Sequence, residues 1–169
     1  SWIINDIFTS STDFRRAVHA AYGTYSNKFG ELKFMGGLRG EYTNREIINS
    51  DVDEVFSLNR VDLFPTLHLL YSIKEKNELM ASYSRRINRP RGGDLDPVPG
   101  YRNRYSVRIG NPELEPEYTN SYELGFMKRF GESYLSFETF RRVTDNKISR
   151  IETLGDDGIY YQTVDNFNK

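Results

Sequence analysis

Apolar and polar residues alternate along most of this chain, the period of extended strands with one apolar face. Phe14 to Ser26 (FRRAVHAAYGTYS) alternates in this way, and its ending in Gly23-Thr24-Tyr25-Ser26 favours strand over helix. Glu31 to Thr43 sets Leu32, Phe34, Leu38 and Tyr42 on one face and Lys33, Arg39 and Glu41 on the other. Gly36, Gly37 and Gly40 weaken that strand and suit a bulge or a crowded barrel wall. Arg60 to Lys74 is the most apolar run, with Leu63, Leu67, Leu69, Tyr71 and Ile73 sharing a face and Pro65 tolerable only near the strand's start. Further strands are predicted over residues 78–87, 118–130, 133–153 (running through Asp145-Asn146) and 159–168. Ser1 to Asp13 reads as the end of one strand followed by a loop.

The connections alternate in length. Tight turns are expected at Asn27 to Gly30, Glu75 to Asn77 and Gly131-Glu132, with a further turn at Gly155 to Gly158. Long loops are expected over 44–59 and 88–117. Short turns at one rim and long loops at the other is the outer-membrane barrel pattern. Strands of about 10 to 13 residues exceed the soluble mode of about 5 to 6 and match the roughly 9 to 11 needed to cross a bilayer at a tilt. The fold class is all-β: an antiparallel meander of long strands, forming a segment of a transmembrane β-barrel, with residues 1–169 as one unit. The predicted strands after Asp13 number about seven, an odd count that suits a piece of a larger sheet. The opening SWIINDIFTS has no basic leader or small-residue cleavage site, and YYQTVDNFNK stops mid-pattern, so both ends are expected to lie inside a longer protein. Such a segment has open edges, and in isolation it can pair or close differently.

The densest signal lies in SYSRRINRP, a Pro-, Gly- and Tyr-rich loop, and then GNPELEPEYTNSYELG. This combination resembles the barrel-forming region of TonB-dependent outer-membrane receptors of the Bacteroidetes type, a likeness extending over Phe14 to Asn168. The resemblance implies a strand, an outward loop and a returning strand, with Arg85 and Arg86 near the membrane exit and Asn111-Pro112 and Glu115-Pro116 shaping the return. It also implies a parent barrel of about 22 strands with its plug domain and TonB-engaging segment elsewhere. Residence in the Gram-negative outer membrane, outer-membrane lipid around the barrel, a small nutrient ligand, coupling to TonB through the plug and a surface lipoprotein partner are its further implications. Arg91-Gly92-Gly93-Asp94 departs from the pattern, standing where bulky aromatic residues are expected.

Composition narrows the chemistry. No apolar run reaches the roughly 20 residues of a membrane helix, and mean hydropathy is −0.66; a barrel is compatible with both, and 14% aromatic content with 12 Tyr suits its girdles. With 23 basic and 24 acidic residues there is no electrostatic case for nucleic acid. Without cysteine there is neither a disulfide nor a thiolate site. His19 and His68 lack partners at ligand spacing. Asp51, Asp53 and Glu54, like Asp156 and Asp157, match no ordered calcium loop and read as solvated acids. No nucleophile–base pair or phosphate loop occurs, so no enzyme activity and no cofactor are expected.

The central loop carries Arg85, Arg86, Arg89, Arg91, Arg102, Arg104 and Arg108 ahead of Glu113, Glu115, Glu117 and Glu123. One reading pairs these halves with each other and pins the loop to the wall. The other offers Arg89, Arg91, Tyr101, Arg102, Arg104 and Tyr105 to an anionic or sugar-like ligand, or to lipid phosphate, at the outer rim. Two function classes remain open: a transporter barrel taking up a siderophore, glycan or peptide, and a self-contained small β-barrel or sandwich binding module.

Overall fold

The structure, a computed structural model, describes residues 11–49, 55–74 and 76–167. Its main body is a six-stranded antiparallel meander of β1 (Thr12–Phe29), β2 (Leu32–Asn49), β3 (Val55–Ile73), β4 (Asn77–Asn88), β7 (Glu117–Phe130) and β8 (Ser133–Asp145), hydrogen-bonded in that order. Between β4 and β7 the chain forms a helical turn α1 (Gly92–Leu95) and a hairpin of β5 (Gly100–Asn103) and β6 (Ser106–Arg108). After β8 come β9 (Lys147–Leu154) and β10 (Tyr160–Phe167), and these four short strands make a second sheet in the order β5-β6-β10-β9.

Tight turns close β1–β2, β3–β4 and β7–β8 at one rim, and Gly30 (φ +55°) and Gly131 (φ +60°) supply the left-handed backbone two of them need. At the opposite rim the second sheet, α1 and the β6–β7 link form a cap.

The wall strands are longer than the alternation predicts. The β1 and β2 strands have 18 residues each and β3 has 19, so most of the loop expected over 44–59 is strand. The cause is a change of phase. Directly paired residues share a face, and the register sets Tyr71, Leu69, Leu67, Leu63 and Val61 of β3 on the same side as Leu32, Phe34, Leu38 and Tyr42 of β2. Above Tyr42 the apolar residues switch sides: Phe14, Ile47 and Phe56 form one cross-strand row on the opposite face. Each strand passes straight through while its hydrophobic parity inverts, and this inversion reads in sequence as a break.

Physics dictates the switch. In the lower half the first face carries exposed Leu38, Leu63, Leu67, Leu124 and Phe137, an outward apolar band. From Val61 to Tyr71 that band runs about 33 Å along β3, which at a tilt of about 40° spans roughly 25 Å, the height of a lipid-facing barrel belt. In the upper half the outward face turns polar with Asn44, Glu46, Ser57 and Asn59, while Ile47 packs inward with Leu95, Leu114 and Val164, flanked by Phe14, Phe56 and Ile148. The cap therefore has a small water-soluble core, and the wall below has none. On the inward face the lower wall lines an open cavity of about 960 Å³ with Lys33, Met35, His68, Met80, Glu123, Glu138 and Arg142.

Three further differences concern interruptions. Pro65 lies inside β3 rather than near its start; it has no N–H to donate, and the β3–β4 ladder ends beside it at Thr66–Ser84. The predicted 133–153 strand divides at Asn146, whose positive φ (54°) swings β9 out of the wall and into the cap. Residues 159–168 do not extend the wall over the described length, because β10 pairs with β9 and, in parallel, with β6. The Ser1 to Asp13 prediction falls largely, and Asp51, Asp53 and Glu54 fall wholly, outside the described residues.

Candidate functional site

The cap is joined to the wall by polar side chains on the inward face of β2 and β3. Arg45, only 5% exposed, donates to the backbone carbonyls of Leu114 (3.0 Å) and Pro112 (2.8 Å). Arg60 bridges Asp62 (3.0 Å) and Glu115 (3.4 Å), and Asp62 also accepts the Tyr118 hydroxyl at 2.6 Å. Tyr118 is buried, with the guanidinium groups of Arg60 and Arg85 over its ring. Glu115 and Glu117 continue the chain of contacts into the second sheet: Asn146 donates to Glu115, the Ile148 N–H donates to Glu117, and the Asn166 amide donates to the Glu115 carbonyl. Most of these contacts join buried or half-buried groups across long stretches of sequence, so the network specifies one placement of the cap.

The structure divides the arginines of the central loop. Arg89 pairs with Glu41 of β2, which also holds Arg39, and it reaches Thr43 as well. Arg108 is held by Asp94. Among the described residues no ion pair joins the loop's basic half to its acidic half: Glu115 belongs to Arg60, Glu117 accepts from Asn88, and Glu123 accepts from Ser82. The expectation that the two halves neutralise each other is therefore corrected. Both halves bind the wall or third residues, because the hairpin and α1 separate them in space.

Of the six candidate ligand residues, Arg89 is thus consumed inside the wall and does not join the others. Arg91 is exposed at the start of α1. Tyr101, Arg102, Arg104 and Tyr105 stand together on the β5–β6 hairpin, where Tyr101 and Tyr105 are 66% and 61% exposed and the Arg104 guanidinium lies 5.9 Å from the Tyr105 ring centre. The β10 strand adds Tyr161 to this surface, since it shares the Val107 row with Tyr101; the Tyr160 N–H donates to the Tyr105 carbonyl and ties β10 to the hairpin, with the Tyr160 side chain on the opposite face. Sequence reasoning did not single out Tyr161; nothing local signals the parallel β6–β10 pairing that brings it in. The Arg91-Gly92-Gly93-Asp94 departure is a helical turn, and it buries Leu95 in the cap core.

Beside this surface the Asp157 carboxylate accepts the Ile159 N–H (3.0 Å) and the Tyr161 hydroxyl (2.8 Å), which hold it below the usual carboxylate range. The same bond raises the Tyr161 hydroxyl above its ordinary value. Among the described residues no group of three or more His, Asp or Glu side chains is placed to hold a metal. His19 lies on the outward face and His68 on the inward one.

A lipid-facing belt, one rim of tight turns and a structured cap on the other rim define the wall of an outer-membrane β-barrel. The model of the outer membrane protein beta-barrel family matches residues 1–169, and the chain belongs to that family; the Gram-negative outer membrane is its location. Among solved structures it is similar to the hemophore receptor HasR of Serratia marcescens in complex with HasA and heme (TM-score 0.69, 18% identity, 89% of this chain and 29% of that one). The copper transporter OprC is similar at TM-score 0.71 and 13% identity, over 95% of this chain and 26% of that one. The siderophore receptor PirA of Pseudomonas aeruginosa is similar at TM-score 0.57 and 12% identity, over 95% of this chain and 38% of that one. The chain thus spans between about a quarter and two fifths of the solved proteins it matches, and the likeness is one of fold. A comparison with curated proteins finds no match.

Proposed function

We propose that this chain is the wall and outer cap of a TonB-dependent nutrient transporter, and that the hairpin surface of Tyr101, Arg102, Arg104 and Tyr105 makes first contact with an anionic nutrient. The observation that carries this reading is the division of the arginines. Arg89 and Arg108 are spent on internal carboxylates, whereas Arg102 and Arg104 stand exposed among tyrosines at the rim opposite the tight turns. Exposed guanidinium groups offer paired donors to carboxylate, phosphate or catecholate oxygens, and tyrosine faces stack on rings and sugars at low entropic cost. Such contacts bind without catalysis. Energy for entry comes from TonB through a plug domain elsewhere in the receptor, and a surface lipoprotein that delivers ligand would meet the same rim. The similar solved proteins are named for heme, copper and a siderophore, and these set the trial panel, with ferric enterobactin as the siderophore.

The test is uptake by the full-length receptor in a strain lacking its own copy, with heme, copper and ferric enterobactin supplied in turn. The double substitution Arg102→Gln, Arg104→Gln is expected to reduce uptake of the responsive ligand at least tenfold while surface abundance stays constant. Wild-type uptake of every transported ligand by that variant refutes the assignment of the hairpin.

A further inference from the structure

Arg16 of β1 and Arg45 of β2 are directly opposed in the wall register and so project from the same inward face. Like charges in that position repel. Arg45 is 5% exposed, yet its two terminal nitrogens meet only neutral carbonyls, and its Nε, enclosed in protein, has no partner among the described residues. The contact recorded for the Arg16 guanidinium is the Phe14 ring at 5.6 Å. Among the described residues no carboxylate pairs with either of them, the neighbouring acids being engaged: Glu41 by Arg39 and Arg89, Asp62 by Arg60 and Tyr118. Between these groups lies a void of about 10 Å³ lined by Arg16, Arg45, Arg60 and Arg89, with Asp62 as its one acid.

We propose that this void binds a small inorganic anion of the halide class, held between Arg16 and Arg45. A buried guanidinium with only neutral acceptors lacks the counter-charge that makes burial tolerable. A water molecule would satisfy Nε but leave the two like charges facing each other; a halide answers both needs. The void is about the size of one water, so a halide enters by outward movement of the exposed Arg16 side chain, and phosphate or a carboxylate-bearing nutrient is too large for it. The site lies in the barrel wall beneath the cap, apart from the hairpin surface, so it stands or falls independently of the ligand reading. Its consequence is structural: the anion holds Arg45 on the Pro112 and Leu114 carbonyls and so helps seat the cap.

The experiment is anomalous diffraction from crystals of the full-length receptor grown in sodium bromide, with the wild type and Arg16→Gln measured side by side. The expected result is a bromide peak within hydrogen-bonding distance of Arg16 and Arg45 in the wild type and its loss in the variant. Thermal unfolding in detergent supplies a second readout: chloride should raise the wild-type midpoint above that in gluconate at equal ionic strength, and the difference should vanish in Arg16→Gln. The proposal is overturned by the absence of a wild-type peak, by a water or protein carboxylate in its place, or by a peak or chloride effect that the variant leaves unchanged.

Discussion

The lower and upper halves of β2 share one backbone ladder and obey opposite solvent rules. Below Tyr42 the strand turns Leu32, Phe34 and Leu38 outward and lines the inner cavity with Lys33 and Met35; above it, Ile47 points inward while Asn44 and Glu46 face out. The lower half is arranged for lipid outside and water inside, the upper half for water outside and a packed core inside. What differs is the medium, and the strand's alternation shifts by one residue to follow it. Stability has correspondingly different sources: closed backbone hydrogen bonds in the membrane belt, and buried polar contacts with a few apolar residues in the cap.

The sharpest way to break this comparison is to place a charge on the same outward face at two heights. Leu67→Arg, in the middle of the apolar band, should destabilise the full-length receptor by about 2–4 kcal/mol in vesicle refolding measurements. Ser57→Arg, on the same strand and face but above the band, should fall within about 0.5 kcal/mol of wild type. Equal costs at the two sites would show that the band does not face lipid.

Backbone crowding divides the halves in a second way. Gly36 in the wall has open space where a side chain would go, whereas a Cβ on Gly110 would lie 2.6 Å from the Asp96 carbonyl and 2.7 Å from that of Asp94. Gly36→Ala should be silent. Gly110→Ala should cost about 1–3 kcal/mol by forcing α1 away from the β6–β7 link, and limited proteolysis within residues 88–117 should reveal a loosened cap on an intact wall. A cleavage rate unchanged from wild type would mean that the cap is not packed on this glycine.

These contrasts also explain what was readable beforehand. The membrane belt was, because Leu63, Leu67, Leu69 and Tyr71 keep one parity over its full height. The strand extensions were not, since Phe14, Ile47 and Phe56 follow the other parity, and a reading that seeks one continuous phase ends each strand where the solvent changes. The exposed hairpin residues could be chosen from composition alone. Arg89 was chosen with them on the same grounds and belongs elsewhere, because its partner Glu41 lies in β2, in a contact that only the folded register creates. Arg45, Asp62 and Tyr118, which seat the cap, carried no local signal: each looks like an ordinary member of an alternating strand.

Tyr118→Phe isolates one joint between wall and cap. It removes only the hydroxyl that meets Asp62 and leaves the ring between Arg60 and Arg85. Hydrogen bonds to charged groups contribute about 1.5–3 kcal/mol; Asp62 keeps Arg60, so the lower end, about 1.5 kcal/mol, is expected. Hydrogen exchange should register it as faster exchange of the β6–β7 link amides with no change at Leu67 or Leu69. Acceleration spread evenly over both halves would mean that wall and cap unfold as one unit.

The smallest expected effect lies at the cap's far edge and depends on pH. The Asp157 carboxylate is held below the ordinary carboxylate range, first by the Ile159 N–H and then by the Tyr161 hydroxyl. A depressed folded-state value stabilises the turn above the unfolded carboxylate's titration near about pH 4, and that contribution disappears as pH falls through the lower folded value. Because the group is fully exposed, global stability should not move measurably. The Ile159 amide should nonetheless lose protection below about pH 4, relative to exchange in an unstructured peptide at the same pH, while amides of the belt keep theirs. Asp157→Asn retains an acceptor for that N–H but not the charge, so it should flatten the acid dependence and leave most of the protection at pH 7. If protection is instead lost at pH 7 in this variant, the charge on the acceptor, and not its geometry, holds the turn that carries Tyr161 to the outer surface.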